Sequence, residues 1–165
     1  MEENTESSAA SRIEIRFFSW TNPTYRCFSN FYPAQFWLDG KIWATSEHYY
    51  QAMKSTDPAM QDYIRTCGKP SVAKEMGGMT HNPNWDAMKD GVMRKCLRAK
   101  FMANLDIKEK LLGTGDALLI EASPGDFYWG EGSTKTGKNR LGVLLMELRD
   151  WIRRPDPDAW LERWS

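Results

Sequence analysis

Gln35-Phe36-Trp37-Leu38-Asp39-Gly40-Lys41-Ile42-Trp43-Ala44-Thr45-Ser46-Glu47-His48-Tyr49-Tyr50-Gln51-Ala52-Met53-Lys54 is the stretch that decides the fold class. Asp39-Gly40 lies between two short aromatic-rich runs, and both residues tolerate the positive φ that a two-residue hairpin turn requires. Thr45 or Ser46 then offers a side-chain oxygen for a helix N-cap, and Glu47 falls in the first turn, where its charge suits the helix dipole. A hairpin feeding directly into a helix predicts a mixed α+β domain.

Upstream, Ile13 to Trp20 reads as a strand because Ile13, Ile15 and Phe17 alternate with Glu14, Arg16 and Phe18. Downstream, Asp57-Pro58 opens a helix that turns Met60, Tyr63 and Ile64 inward and stops at Gly68. A shorter helix over Ser71–Met76 is expected to close at Gly77-Gly78. Trp85, Met88, Val92, Met93, Cys96, Leu97 and Phe101 keep a three-and-four spacing that predicts a long amphipathic helix from Asn84 to Ala103. Asp106 is expected to cap a short helix through Leu112, and Ala117–Glu121 reads as a buried strand. Ser123–Lys138 is a glycine-rich loop, and Asn139–Ile152 is the last main helix, before Pro155-Asp156-Pro157 and a Trp-rich tail. The order contains no repeat and no linker. It predicts one compact domain over residues 13–165, mostly helical with a small β-sheet and hairpin, behind a disordered, polar tail at residues 1–12.

The 165 residues suffice for one core, with 41% apolar and 27% charged side chains. Lys plus Arg and Asp plus Glu are both 22, so no global basic excess marks a duplex-binding protein. Cys27, Cys67 and Cys96 are odd in number and lack C-x-x-C spacing, which favours reduced thiols in a cytoplasmic or nuclear setting. No apolar run is long enough for a membrane span, and no signal peptide is evident. His48 and His81 are the only histidines, with no second ligand at metal-site spacing, so neither a metal, a cofactor nor a Ser-His-Asp triad is expected.

Three clusters are candidates for chemistry. Glu47, Gln51 and Lys54 fall at i, i+4 and i+7, with Tyr50 beside them. A carboxylate and an amine on one stripe suit glycosidic chemistry, and equally suit a solvated face with ordinary charge pairs. The loop from Ser123 through Asp126, Tyr128, Trp129 and Gly130 runs into Gly137-Lys138-Asn139. It offers an acid, aromatic faces and helix N-terminal N–H groups for a phosphate, or simply uses glycine for its turns. Cys27-Phe28-Ser29-Asn30-Phe31-Tyr32-Pro33 sets polar Ser29 and Asn30 among aromatics, fit either to grip a base or ribose or to pack on the core.

These clusters resemble the NADAR (YbiA-like) family. The resemblance lies in Phe28-Ser29-Asn30-Phe31-Tyr32-Pro33, the Asp39-to-Trp43 hairpin and Thr45-Ser46-Glu47-His48 through Gln51-Ala52-x-Lys54. It continues in Val92-Met93-Arg94-Lys95 through Phe101, in Tyr128-Trp129-Gly130-x-Gly132, and in Gly137-Lys138-Asn139-Arg140-Leu141-Gly142, all in family order. It implies a compact, mostly helical α+β fold and N-glycosidase activity. The associated substrates are ADP-ribose attached to guanine in nucleic acid or nucleotide, and the phosphoribosylamino-pyrimidine intermediates of riboflavin synthesis. A non-catalytic ADP-ribose reader is the third alternative. Position by position, the resemblance implies a catalytic carboxylate at Glu47, an amine at Lys54 and an aspartate at Asp126. Ser29, Asn30, Phe31, Tyr50, Gln51, Trp85, Tyr128, Trp129, Gly130, Lys138 and Asn139 are the expected substrate-binding residues, in a monomer. Members similar to this chain often carry Gly-Arg after the third helix and Arg before the helix-opening Trp, where Gly77-Gly78 and Asn82-Pro83-Asn84 stand here. Fewer arginines weaken the grip on a terminal phosphate monoester and favour the ADP-ribose substrate.

Overall fold

In the computed structural model, which describes residues 12–19 and 21–154, two small β-pairs are set into a frame of six helices. β1 (Glu14–Phe17) pairs in parallel with β4 (Leu118–Glu121), aligning Glu14 with Leu118 and Phe17 with Glu121. β2 (Phe36–Leu38) and β3 (Lys41–Trp43) form the hairpin, with Asp39 at φ 51° and Gly40 at φ 75° as the turn requires. The helices are α1 (Ser46–Ala52), α2 (Pro58–Thr66), α3 (Pro70–Gly78), α4 (Trp85–Ala103), α5 (Leu105–Gly113) and α6 (Arg140–Ile152). A 3-10 turn, Arg26–Phe28, precedes the hairpin.

The expected elements are present, with bounds moved by tertiary packing. β1 is shorter than read, and Trp20, residues 1–11 and the segment from Pro155 lie outside the described residues. α1 is capped by the Thr45 side chain, which accepts from the His48 N–H, and ends at Ala52 rather than running to Lys54. The Lys54 and Ser55 N–H groups instead close tight turns onto Gln51 and Ala52, as Asp57 must leave the helical region before Pro58. Tyr63 is exposed and Met88 is exposed, so only part of each predicted apolar face is buried. α5 starts from Asn104, and Asp106 lies in its first turn rather than at its cap.

α3 runs through both glycines that were expected to stop it. A Cβ on Gly77 would lie 2.8 and 2.9 Å from Gln51 Cβ and Cδ, so α3 approaches α1 where only glycine fits. At Gly78 nothing lies within 4 Å.

A single hydrophobic core collects Phe17, Phe28 and Phe101 between β1, the 3-10 turn and α4, with α6 contributing Leu141, Leu144, Leu145 and Leu148. α1 is packed against α2, α3 and α4, and all seven of its residues are buried. A helix hidden on every side has its polar groups answered largely within the protein. His48 is answered by Thr45 Oγ1 at 2.8 Å and the Cys67 carbonyl at 2.9 Å, while the Tyr49 hydroxyl donates to Asp39 in the hairpin turn at 2.8 Å.

Candidate active site

The buried face of α1 opens on a cavity of about 320 Å³. Its walls are the Ser29–Phe31 segment, Phe18 and Ser19 after β1, Lys74 of α3, Met93 of α4 and Leu141 of α6. Glu47, Tyr50 and Gln51 enter from α1 and Lys54 from the turn that follows, while Glu121, Ser123, Asp126 and Trp129 enter from β4 and its loop. The Glu47/Gln51/Lys54 stripe is therefore a cavity wall and not a solvated face.

Glu47 is held firmly. Its N–H donates to the Asn30 carbonyl at 3.0 Å, and its Oε1 accepts from Gln51 Nε2 at 2.6 Å. Burial pushes its carboxyl above the ordinary carboxylate range, opposed by the Gln51 bond and by Lys74 and Lys54. Lys54 is driven the other way: desolvation lowers its ammonium, while Glu47 and Asp126 pull it back up. Its Nζ stands 5.3 Å from the Tyr50 ring centre and 5.9 Å from that of Trp85. An amine of lowered pKa beside a carboxylate of raised pKa is an arrangement common at catalytic sites.

Two buried residues that the sequence reading did not single out complete the site. Glu121, 7% exposed, ends β4 and turns its side chain into the cavity. Burial, with Asp126 and Glu47 beside it, raises its carboxyl to about 8. Lys100, fully buried on α4, donates to the Cys27 and Ser29 carbonyls at 2.8 and 2.9 Å. That bond fixes the Ser29–Phe31 wall, which in turn fixes Glu47 through the Asn30 carbonyl. Burial lowers the Lys100 ammonium to about 8. A lysine on a predicted core face and a glutamate closing an apolar strand were the available signals.

Asn30 Oδ1, Gln51 Oε1 and Glu121 Oε2 are buried with no hydrogen-bond partner among the described residues. Unanswered buried acceptors are costly, and together in one cavity they are ready to receive N–H or O–H donors of a ligand.

Ser29, Asn30, Phe31, Glu47, Tyr50, Gln51, Lys54, Asp126 and Trp129 are thus brought together. Trp85 stands one layer behind, edge-on to Tyr50 at 4.9 Å, and Trp129 Nε1 donates to the Tyr50 hydroxyl at 3.0 Å. The remaining expected residues are not in the lining. The Tyr128 hydroxyl donates to Asp90 at 2.7 Å, and its ring centre is 4.0 and 5.2 Å from the Lys89 and Lys138 ammonium groups. Gly130 is buried against the Asp126 and Glu121 carbonyls.

The expected free N–H groups at the start of α6 are also corrected. The N–H groups of Lys138, Asn139, Arg140 and Leu141 donate to the carbonyls of Phe127, Gly130, Tyr128 and Trp129. Asn139, at φ 48°, spends its side chain on β4, donating to the Leu119 carbonyl at 2.8 Å and accepting from the Glu121 N–H at 2.9 Å. The glycine-rich loop satisfies the helix end that a phosphate was expected to occupy, and in doing so fixes Glu121 and Trp129.

Among the described residues, no group of three or more His, Cys, Asp or Glu side chains is arranged to hold a metal ion, and no helix is long and apolar enough to cross a membrane.

Several known proteins are similar to this chain. N-glycosidase YbiA of Escherichia coli (strain K12) is 47% identical over 141 residues, covering 84% of this chain and 88% of that protein. N-glycosidase Npun_R5314 of Nostoc punctiforme is 42% identical over 86% of this chain and 94% of that protein. A riboflavin biosynthesis protein of Vibrio vulnificus, VVA0006, is 34% identical over 78% of this chain but only 36% of its own length. The NMR structure of Escherichia coli YbiA superimposes with a TM-score of 0.79 at 43% identity, covering 86% of each chain. A model of the NADAR domain matches residues 16–153, and by that span and these identities the chain belongs to the NADAR domain family.

Proposed function

We propose that this chain is an N-glycosidase that hydrolyses the bond between ADP-ribose and a guanine base of nucleic acid or nucleotide. The observation that carries the reading is the single cavity lined by Glu47, Asp126 and the Lys54 amine. Loss of a base from ribose builds positive charge at the anomeric carbon. Buried carboxylates stabilise that charge far better than water does. Glu47, fixed at both its backbone and its side chain, stabilises the sugar, and Asp126 orients water on it. Lys54 either protonates the departing base or, in its neutral form, traps the opened ribose as an imine.

The unanswered oxygens of Asn30 and Gln51 suit ribose hydroxyls and the N–H edge of guanine. Phe31 and Trp129 supply flat faces, and Lys74, whose Nζ is 5.9 Å from the Phe31 ring centre, is the exposed cation that replaces Lys138 as the partner for the diphosphate. Two relatives named N-glycosidases at 42–47% identity support the reaction class.

The second reading is an N-glycosidase of phosphoribosylamino-pyrimidines, favoured by the relative named for riboflavin biosynthesis. Against it stand Gly77-Gly78 and Asn82-Pro83-Asn84, which lack the two arginines suited to a phosphate monoester. Incubation of the protein with an ADP-ribosylated guanine oligonucleotide and, separately, with the pyrimidine intermediates decides between them. Release of ADP-ribose from the first and no cleavage of the second is expected, and the converse overturns the proposal. Binding of ADP-ribose without release from either would identify a reader.

A further inference from the structure

We infer that Glu121 is a third catalytic carboxyl, the group that delivers a proton to the departing base nitrogen. The inference rests on the N-glycosidase reading above and assigns a role that this reading leaves shared with Lys54.

Three carboxyl groups, Glu47, Glu121 and Asp126, line one small cavity, and they are not equivalent. Glu47 accepts from Gln51 Nε2, and Asp126 Oδ1 accepts the N–H groups of Tyr128 and Trp129 at 2.9 and 2.7 Å. Both therefore have a carboxyl oxygen already engaged by donors of the protein. Glu121 Oε2 is buried with no donor on it among the described residues. Its neighbours from every side are unequal in effect: Glu47 of α1 and Asp126 of the loop disfavour its ionisation, Lys100 of α4 and Lys74 of α3 favour it, and burial outweighs the lysines. Of the three, Glu121 is the one with a buried carboxyl oxygen that no protein donor reaches. Burial raises it to about 8, so it holds a proton near neutral pH.

Its mounting is rigid. The Glu121 N–H donates to Asn139 Oδ1, and its carbonyl accepts from the Glu131 N–H at 2.9 Å, so the side chain is aimed into the cavity from the last residue of β4. A carboxylic acid with an unengaged oxygen beside carboxyl groups that the protein already holds suits the division of labour in glycosidic cleavage, one group donating a proton while another stabilises the sugar cation.

The step balances. The bond from the anomeric carbon to the guanine nitrogen breaks with its electron pair going to nitrogen, which takes the Glu121 proton. Water adds to the anomeric carbon and gives up one proton, which restores the Glu121 carboxyl. One water is consumed, and ADP-ribose and the base are released. With the proton supplied by Glu121, Lys54 is left to act on the sugar.

The test compares Glu121→Gln with the wild type on two probes: the ADP-ribosylated guanine oligonucleotide, and a 4-nitrophenyl glycoside of ADP-ribose, whose leaving group departs without a proton. A general acid contributes on the order of 10²–10⁴-fold, so kcat on the oligonucleotide is expected to fall by about 10²-fold or more. Turnover of the nitrophenyl probe is expected to stay within about threefold of the wild type. Circular dichroism establishes that the variant is folded, and Glu121→Asp, which keeps the acid, is expected to recover part of the lost rate. Equal losses on both probes, or no loss on the oligonucleotide, overturn the inference while the wild-type activity leaves the N-glycosidase reading standing. A wild type inert on both probes overturns both.

Discussion

Gly77→Ala is expected to loosen the active site from behind, and its effect can be worked out from the packing of two helices. The added methyl would collide with the Gln51 amide, which would have to move, and would fall 2.8 Å from Gln51 Cβ, which the α1 backbone fixes in place. Overpacking of this kind costs about 1–3 kcal/mol. Displacing Gln51 also gives up its 2.6 Å bond to Glu47, a bond to an ionisable group worth roughly 1.5–3 kcal/mol. Against this, alanine recovers about 1 kcal/mol of helix propensity over glycine. The balance is a loss of about 3 kcal/mol, or a fall in Tm of roughly 6–12 °C for a chain of this size. Gly78→Ala is the internal control. The site is one residue on in the same helix, exposed and open for 4 Å, so the same propensity gain should appear unopposed as a rise of about 1–4 °C. Thermal unfolding of the two variants side by side is the assay. Because the Gln51 bond holds the Glu47 carboxyl down, Gly77→Ala should also move the acidic limb of kcat/KM to higher pH. If Gly77→Ala proves as stable as Gly78→Ala, the close approach of α3 to α1 is wrong, and with it the account of what holds Glu47.

Other consequences are equally measurable. Glu121 has a folded-state carboxyl raised to about 8 from an ordinary 4.5, so the folded chain binds more protons between those values and loses stability as pH rises through them. Glu121→Gln removes that term, and its unfolding free energy relative to wild type should climb between pH 5 and 8, by at most ~1.4 kcal/mol per pH unit; a constant difference would mean that Glu121 is not held protonated. Borohydride added during turnover should reduce an imine and leave a stable ADP-ribose adduct on Lys54, visible by mass spectrometry; its absence restricts Lys54 to a charge or proton role. Lys138→Ala should leave KM within about twofold, since Lys138 is exposed and outside the cavity lining, whereas loss of a real phosphate contact would raise KM about tenfold or more.

Much of this architecture is written in local chemistry. Asp39-Gly40 specifies its turn through positive φ, Thr45 specifies the start of α1 through its cap, and Asp57-Pro58 specifies both the end of that helix's turn and the start of α2. What local chemistry does not contain is the partner. Gly77-Gly78 carries the mark of a helix stop, yet α3 continues because Gly77 is needed for closeness to Gln51 rather than for a left-handed turn. The stripe of Glu47, Gln51 and Lys54 looks the same whether it meets solvent or a cavity, and only the helices around α1 decide. Asn139 resembles a ligand-binding asparagine at a helix start, but its amide bridges two backbone groups of β4, a strand that ends 18 positions earlier. Glu121 and Lys100 take their importance wholly from burial, which no spacing along one chain expresses.

The most direct test of the central claim is the release of ADP-ribose from an ADP-ribosylated guanine oligonucleotide by the wild type and by Glu47→Gln, run in parallel and followed by chromatography. Multiple turnover by the wild type is expected, with a fall of several orders of magnitude in the variant and binding of the oligonucleotide largely retained. A wild type that releases no ADP-ribose, or a Glu47→Gln variant that releases it at the wild-type rate, would contradict the account.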